Sequence, residues 1–302
     1  MICLDDLDDL PTLEDRLHLA LGVFDGLHEG HQAVIREAVS LARTTGGLSL
    51  VVTFFPHPAE VLSSSPKPCP LIGTLNEKLM MLEAMGVDAV LVIEFDELFA
   101  AITAQDFILR LCRANVGSIS IGEDWRFGFK REGNVHLLRS LGQAYGFTVK
   151  ALPHTHWNGV RISSTRIRQA VQMGDFDAAE AMLGRHYTLS GIVVEGQQLG
   201  RTLGFPTANL RLPDIQLPPD GVWVVEVNGC HRGVANLGGR PTVDGSGERH
   251  FEVHLIDFSE NLYGKTLQIR FLRYLRSIRA FDSLEALKAQ ICKDVQAARD
   301  FS

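Results

Sequence analysis

Short apolar runs alternate with helical patterns through the first half of the chain. Runs typical of strands cover residues 17–21, 48–54, 89–93, 119–121 and 148–152: the first alternates apolar with other residues, and those at 48–54 and 89–93 are typical of buried strands. Apolar positions at helical spacing lie between them, at 34–42, 75–82 and 103–114. This alternation predicts an α/β domain with a mostly parallel sheet and helices on both faces. Residues 59–73, which hold several Ser and Pro, are expected to form a mobile loop.

The pattern changes after Gly184. Strand-like runs separated by Gly, Pro and Asn cover residues 189–194, 222–227, 233–236, 251–256 and 267–272. Helical periodicity returns over residues 283–298, with an apolar face formed by Leu284, Leu287, Ile291 and Val295. The second half is therefore predicted to be a small all-β barrel closed by a C-terminal helix. We expect the domain boundary near residues 184–187.

Composition narrows the class of protein. The 302 residues are 45% hydrophobic and 22% charged, as in an ordinary globular protein with one large or two medium domains. The net charge of −7 argues against a nucleic-acid or anionic-membrane partner. No apolar run approaches membrane length, and the start of the chain lacks the basic residues of a signal peptide. Five scattered cysteines without a CxxC pair suit reduced thiols, so we expect a cytoplasmic protein.

The clearest candidate site is the turn Gly22-Val-Phe-Asp-Gly-Leu-His-Glu-Gly-His31, between the first strand and the first helix. Free backbone N–H groups and the helix dipole favour an anion at that position, and the glycines of the turn let a phosphate approach closely. His28 and His31 can reach the same phosphate and stabilise charge that develops on it. We interpret the turn as a nucleotide triphosphate site. Zinc is the alternative, for which Asp25 is the only obvious third ligand.

A second candidate anion site is Arg161-Ile-Ser-Ser-Thr-Arg-Ile-Arg168. Ser163 or Ser164 can cap a helix whose first-turn N–H groups face an anion, and Arg166 and Arg168 add cationic donors. Taken alone, the segment is more typical of an ordinary Ser-capped surface helix. Its pairing with the first turn favours a phosphate site.

Two features of the second half indicate phosphoryl transfer. Thr207 and Asn209 follow the glycine-rich basic loop that contains Gly200 and Arg201, and their hard oxygens suit Mg²⁺ bound jointly with phosphates. Glu252 lies on a strand whose alternate residues are polar, where a carboxylate can accept a proton from an attacking alcohol. A plain turn with one strand, and a solvated glutamate, are the alternatives.

Together these motifs resemble the bacterial bifunctional riboflavin kinase/FMN adenylyltransferase family. The first half carries the segments at 22–31, 54–58, 122–128 and 163–168, and the second half those at 200–209, 221–223 and 236–242 with the Glu252 strand. The resemblance implies a Rossmann-like α/β nucleotidyltransferase domain over residues 1–185. A riboflavin kinase-like, six-stranded barrel with a terminal helix would cover residues 186–302.

The resemblance also implies the activity. Riboflavin would be phosphorylated by ATP to FMN, and FMN would be adenylylated by a second ATP to FAD with release of pyrophosphate. Mg²⁺ would assist, the partners would be small molecules only, and the chain would be a monomer or a weak homo-oligomer.

Residue roles follow from the same resemblance. Catalysis would depend on His28, His31 and, as the base of the kinase, Glu252. The ATP site of the adenylyltransferase would comprise Gly22, Phe24, Asp25, Gly30, Ser163, Ser164, Thr165 and Arg168, and its flavin site Phe54, Asp124, Arg126 and Phe127. The kinase would bind ATP through Gly200, Arg201, Thr207 and Asn209, Mg²⁺ through Thr207 and Asn209, and the flavin through Arg276 and Phe281.

The sequence departs from the family pattern beside the riboflavin pocket, where Ile278 and Ala280 replace a usual Glu and Lys. Kinase affinity or product inhibition is expected to differ as a result. Trp125 and Trp223 replace a usual Phe and Tyr. The rival interpretations are a nucleotidyltransferase with another acceptor, a class I tRNA synthetase, and a non-catalytic flavin-binding regulator. The acidic charge disfavours the synthetase, and the complete set of chemical residues disfavours the regulator.

Overall fold

The chain forms two compact units, residues 1–164 and 165–302, in a computed structural model that describes residues 1–63, 69–196, 199–239 and 249–301. The domain boundary expected near residues 184–187 stays a prediction. Within the described ranges, no helix is long and apolar enough to cross a membrane. The five cysteines are all free thiols.

The first unit is an α/β layer structure. Its strands are β1 Ile2–Leu4, β2 Leu17–Leu21, β3 Leu48–Phe55, β4 Ala89–Glu94, β5 Val116–Gly122, β6 Thr148–Leu152, β7 His156–Trp157 and β8 Val160–Arg161. Six of them form a parallel sheet in the order β1-β4-β3-β2-β5-β6, and β7 and β8 form a separate antiparallel pair. The order reverses at β2, so the turn that follows β2 lies where ligands bind in such sheets.

The helices of this unit are α1 Glu29–Thr45, α2 Pro58–Leu62, α3 Leu75–Ala84, α4 Glu97–Ala100, α5 Ala104–Leu111 and α6 Val135–Tyr145, and α7 Ser164–Met173 begins at its last residue. The predicted capping box is confirmed, because Thr74 accepts from the Glu77 N–H at 3.2 Å and Glu77 accepts from the Thr74 N–H at 2.8 Å. Gly46, at φ 80°, ends α1.

Strand β2 is buried along its whole length, which the alternation of leucines with His18 does not predict. The sheet is covered on both faces, so a polar residue in its centre needs internal partners. The His18 ring has them in the Ser118 hydroxyl at 2.8 Å and the Gly46 carbonyl at 3.1 Å. The expectation of a loop over 59–73 is wrong at its start, where α2 is helical with Pro58 at its first position. Residues 64–68 lie outside the described part.

The second unit is the predicted barrel. Helix α8 Phe176–Leu183 precedes strands β9 Thr188–Val194, β10 Ala208–Arg211, β11 Gly221–Val227, β12 His231–Gly239, β13 Arg249–Leu255 and β14 Thr266–Arg276, with α9 Leu199–Leu203 after β9 and α10 Leu284–Arg299 at the end. The six strands close antiparallel in the order β10-β13-β12-β11-β14-β9. The fold class predicted for both halves is confirmed.

The packed face of α10 includes most of the predicted one, since Leu287, Ile291 and Val295 are half-buried, but it excludes Leu284. Leu284 is 56% exposed, whereas Ala298 is buried against Val224 and Ile256, and Asp294 is 5% exposed. The helix therefore packs on the outside of β11 and β12 mainly through its second half, and its buried stripe includes a carboxylate.

Candidate active sites

The turn after β2 holds its two histidines in a fixed arrangement. Phe24 has the left-handed conformation at φ 54°, and the chain then makes a short 3₁₀ turn, Asp25–Leu27, before α1. His28 is the N-cap of α1, and its Nδ1 accepts from the His31 N–H at 3.2 Å. Since Nδ1 accepts, the proton of a neutral His28 lies on Nε2, which is then a donor for a ligand oxygen.

The two imidazoles stack, with ring centroids 3.5 Å apart and an angle of 18° between the planes. His28 is buried, and so is the His31 Nδ1, which has no hydrogen-bond partner among the described residues. Burial lowers the pKa of His31 well below 6.5, and the charges of His28, Lys78 and Arg161 lower it further. His31 is therefore neutral in the free protein, with an unused ring nitrogen.

Lys78, on α3, is a site residue that the sequence analysis missed. Its ammonium donates to the Val23 carbonyl at 2.8 Å and to the Thr53 hydroxyl at 3.2 Å. These two hydrogen bonds fix the start of the turn. Burial lowers its pKa to about 8, with the nearby Asp25 opposing that shift. A signal was present: Lys78 lies three residues after Leu75 and four before Leu82, on the apolar stripe of α3.

A cavity of about 870 Å³ opens beside this turn and has two kinds of lining. A polar part includes both histidines, Gly30, Arg161 and Ser164. An aromatic part comprises Phe54, Phe95, Phe99, Phe107, Trp125 and Phe127. The Phe54 ring lies 5.8–6.4 Å from the rings of its three aromatic neighbours. A cavity of this size, within the roughly 300–1,000 Å³ usual for ligand sites, suits a planar ring system joined to phosphates.

Most of the residues predicted for the adenylyltransferase lie at this cavity. Its lining includes Gly22, Phe24, Asp25, His28, Gly30, His31, Phe54, Asp124, Arg126, Phe127, Ser163 and Ser164. The Ser164 hydroxyl donates to the Asp25 carbonyl at 3.0 Å, which joins the second motif to the first. Thr165 and Arg168 continue α7 in the second unit, and their role stays a prediction.

Two of these carboxylates have structural partners. Asp25 Oδ1 accepts from the Ile72 N–H at 3.0 Å, which anchors the segment before α3 to the turn. Asp124 forms an ion pair with Arg161 at 2.7 Å, at the edge of the cavity. Arg161 and the phenylalanines 95 and 99 are further lining residues that sequence reasoning did not assign. The zinc alternative has no support, since the described residues contain no group of three His, Cys, Asp or Glu side chains that could hold a metal.

The barrel brings a second set of predicted residues together by strand register. Glu252 on β13 pairs with Asn209 on β10 and with Asn236 on β12. Directly paired residues point to the same side of a sheet, so the three polar side chains form a row. Phe251, Val253 and Leu255 are buried, which places the row on the outer face of the barrel.

Two glycines form a cradle beside this row. A Cβ at Gly196 would collide with the Asn209 amide, and one at Gly200 would collide with the Phe205 carbonyl and lie 3.3 Å from the Thr207 hydroxyl. The backbone before and within α9 therefore lies directly against both predicted magnesium ligands. The side-chain oxygens of Thr207 and Asn209 are hard ligands of the kind that Mg²⁺ prefers, and they lie beside the two glycines. Arg201 is exposed on α9, and the predicted motif residues 240–242 lie outside the described residues.

The predicted flavin residues of the kinase lie at the end of β14 and just after it. The Arg276 guanidinium donates to the Asp294 carboxylate on α10 at 2.8–3.2 Å and lies 5.6 Å from the centroid of the Phe281 ring. Asp294 is a buried acid on a helix that the sequence suggested was apolar on that face. The long-range pairing with Arg276 and a hydrogen bond from the Gln290 amide explain its burial.

The fold and these two sites define the class of the protein as a two-domain, nucleotide-dependent transferase. Residues 11–166 match the family model described as FAD synthetase, and residues 183–302 match the one described as riboflavin kinase. Bifunctional riboflavin kinase/FMN adenylyltransferase from Escherichia coli (strain K12) is 42% identical, covering 94% of this chain and 92% of that protein. The one from Pseudomonas fluorescens is 40% identical, covering 92% and 91%.

A solved structure described as a macrolide-efflux protein from Streptococcus pneumoniae is 34% identical, with a TM-score of 0.86, and covers 100% of this chain and 99% of that one. The chain belongs to the family of bifunctional riboflavin kinase/FMN adenylyltransferases, as its motifs indicate. The rival assignments to a tRNA synthetase and to a non-catalytic regulator are set aside.

Proposed function

We propose that this chain phosphorylates riboflavin to FMN in its barrel and adenylylates FMN to FAD in its α/β unit. The observation that carries the proposal is the cavity beside the turn, where an aromatic lining suited to a flavin meets two stacked histidines at a helix N-terminus. Two phosphate-handling sites on separate units match the two family regions along the chain.

In the adenylyltransferase, an oxygen of the FMN phosphate attacks the α-phosphorus of ATP, and pyrophosphate leaves. His28 donates from Nε2 to the phosphoryl oxygens, and the neutral His31 and the N–H groups that open α1 add to the stabilisation of developing charge. Arg161, Ser163 and Ser164 bind ATP phosphates at the cavity edge, with Thr165 and Arg168 of α7 assigned the same task. The flavin ring lies against Phe54 and Phe127.

In the kinase, Glu252 accepts the proton of the ribityl 5′-hydroxyl while its oxygen attacks the γ-phosphorus of ATP, and ADP leaves. Gly200 and Arg201 bind the ATP phosphates. Asn236, paired with Glu252, is a further polar group of this site that the register supplies.

Mg²⁺ is assigned to the kinase, with Thr207 and Asn209 as protein ligands beside the phosphates. When bound, the ion neutralises charge on the phosphates. The two oxygens come from residues that flank the glycine cradle, and this proximity supports the assignment.

The finer organisation is part of the same proposal. We place the boundary between the two activities at residues 185 and 186, close to residue 183, where the riboflavin kinase region begins. The chain is a cytoplasmic enzyme, monomeric or weakly self-associating, that acts on small molecules and not on nucleic acid. Light scattering at two protein concentrations tests whether the chain is monomeric or self-associates. The net charge of −7 supports the absence of a nucleic-acid partner.

Product analysis tests the proposal. Purified protein is incubated with riboflavin, ATP and Mg²⁺, and flavins are separated over time. FMN followed by FAD is expected. FMN without FAD, even when FMN is supplied directly, would contradict the role of the cavity, and absence of both from a folded protein would contradict the proposal as a whole. Omitting Mg²⁺, with a chelator present, is expected to stop FMN formation.

A further inference from the structure

A buried ion pair joins helix α10 to the end of strand β14. The Nε and Nη2 of Arg276 both donate to the Asp294 carboxylate, at 2.8–3.2 Å, and Asp294 is 5% exposed. Arg276 Nη1 donates to the Ser277 carbonyl at 3.2 Å. One edge of the guanidinium is thus engaged by α10, so Arg276 is poorly placed to use that edge on a flavin.

A second link joins the same face of α10 to the segment after β14. Gln290 lies one helical turn before Asp294, and its amide donates to Asp294 Oδ1 at 2.9 Å. Its Oε1 accepts from Arg279 Nη2 at 2.7 Å. Both arginines of the segment 276–281 are therefore held by one connected pair of side chains on α10.

Both arginines also contact Phe281. Their guanidinium carbons lie 5.6 Å (Arg276) and 4.9 Å (Arg279) from the centroid of its ring. Between them, Ile278 packs on β12 so closely that a Cβ at Gly238 would collide with its Cδ1. Gly238 lies two residues after Asn236, which pairs with Glu252. The segment is thus held both by α10 and by the strand that borders the kinase site.

From these contacts we propose that α10 positions the flavin-contact segment 276–281 through Asp294 and Gln290, and thereby sets the riboflavin affinity of the barrel. Phe281 is the residue that contacts the flavin, and Arg276, Asp294 and Gln290 are positioning residues that act through it. This inference rests on the proposed kinase function. It also changes the part expected of Arg276, from a direct flavin ligand to a support of Phe281.

The test measures riboflavin KM, kcat and adenylylation of supplied FMN for Asp294→Asn and Gln290→Ala in the full chain. The control is Asp257→Asn, since Asp257 also ties α10 to the barrel by two hydrogen bonds of 2.7 Å from Arg299, on the exposed surface. We expect D294N to raise riboflavin KM about tenfold, the equivalent of one charge-assisted hydrogen bond. Its kcat, and FMN adenylylation, should stay near wild type, and D294E should recover part of the affinity.

A riboflavin KM in D294N equal to that of D257N would overturn the inference. If D294N lost its cooperative thermal transition, Q290A would provide the test, because it leaves the buried ion pair of Arg276 and Asp294 intact. A roughly threefold rise in its riboflavin KM is expected, and an unchanged KM would overturn the inference. Phe281→Ala separates this result from the proposed function. An unchanged riboflavin KM in F281A would contradict the contact between Phe281 and the flavin. A raised KM in F281A with unchanged KM values in D294N and Q290A would contradict only the role of α10.

Discussion

The two sites of this chain are built in opposite ways. In the α/β unit, ten consecutive residues form the turn proposed to bind phosphates, and its histidine rings stack with centroids 3.5 Å apart at the start of one helix. In the barrel, the polar row draws Asn209, Glu252 and Asn236 from three strands and depends on their register. The first site is mainly local in sequence and partly buried, and the second is long-range and lies on an outer surface. A substitution in one site should therefore leave the reaction at the other site intact.

The largest expected effect is that of Glu252→Gln on the kinase. Loss of the base should lower FMN formation by about 10²–10⁴-fold, while adenylylation of supplied FMN continues. Glu226→Gln is a matched control, since Glu226 faces Arg270 elsewhere on the barrel. Flavin separation by chromatography measures both products. Wild-type FMN formation in E252Q would remove Glu252 as the base.

His28→Ala should give the opposite pattern. Without the Nε2 donor and the N-cap of α1, FAD formation should fall by about 10²–10³-fold, while riboflavin phosphorylation persists. His136→Ala, on the exposed side of α6, is the control. Loss of both activities in a folded H28A protein would contradict the independence of the two units.

Lys78→Met should have a smaller effect confined to the α/β unit. The Val23 carbonyl loses a charge-assisted hydrogen bond, so adenylylation should fall about tenfold. The pKa of His31 should rise, because Lys78 is one of the charges that lower it. Titration of the His31 ring by NMR measures this shift, with Lys150→Met, a surface lysine, as control. An unchanged titration together with wild-type activity would remove Lys78 from the site.

The smallest effect concerns stability against pH. The folded pKa of His31 lies below the ordinary 6.5, so the unfolded chain binds a proton that the folded chain does not as the pH falls through that value. The free energy of unfolding should therefore decrease on acidification from about pH 7 to about pH 5. His31→Gln should show a shallower decrease in urea titrations at several pH values. The same slope in both proteins would mean that His31 titrates normally.

The sequence predicted the local features of the fold well. The turn at 22–31, the capping box at Thr74, the strands of the sheet core and most strands of the barrel all depend on neighbouring residues. The sequence does not indicate strand β1, because it is only three residues long. The prediction of a loop over residues 59–73 is wrong at α2, because Pro58 begins a helix there.

What the sequence could not provide is pairing between distant segments. Nothing local places Asn236 beside Glu252, Lys78 under the Val23 carbonyl, or Phe95 and Phe99 in the wall of the cavity. The exposure of Leu284 and the burial of Asp294 on α10 could not be predicted for the same reason. Apolar periodicity favoured Leu284, whereas the partner of Asp294, Arg276, is 18 residues away along the chain.

The most direct test of the central claim, that the two activities use separate and independent sites, is a mixture of H28A and E252Q incubated with riboflavin, ATP and Mg²⁺. FMN formation by E252Q and conversion of FMN to FAD by H28A should each be slowed at least about a hundredfold, so either variant alone should yield FAD from riboflavin far more slowly than the wild type. We predict that the mixture yields FAD much faster than either variant alone, because FMN released by the barrel of H28A is adenylylated by the α/β unit of E252Q. A mixture of two folded variants that yields FAD no faster than either variant alone would contradict the claim.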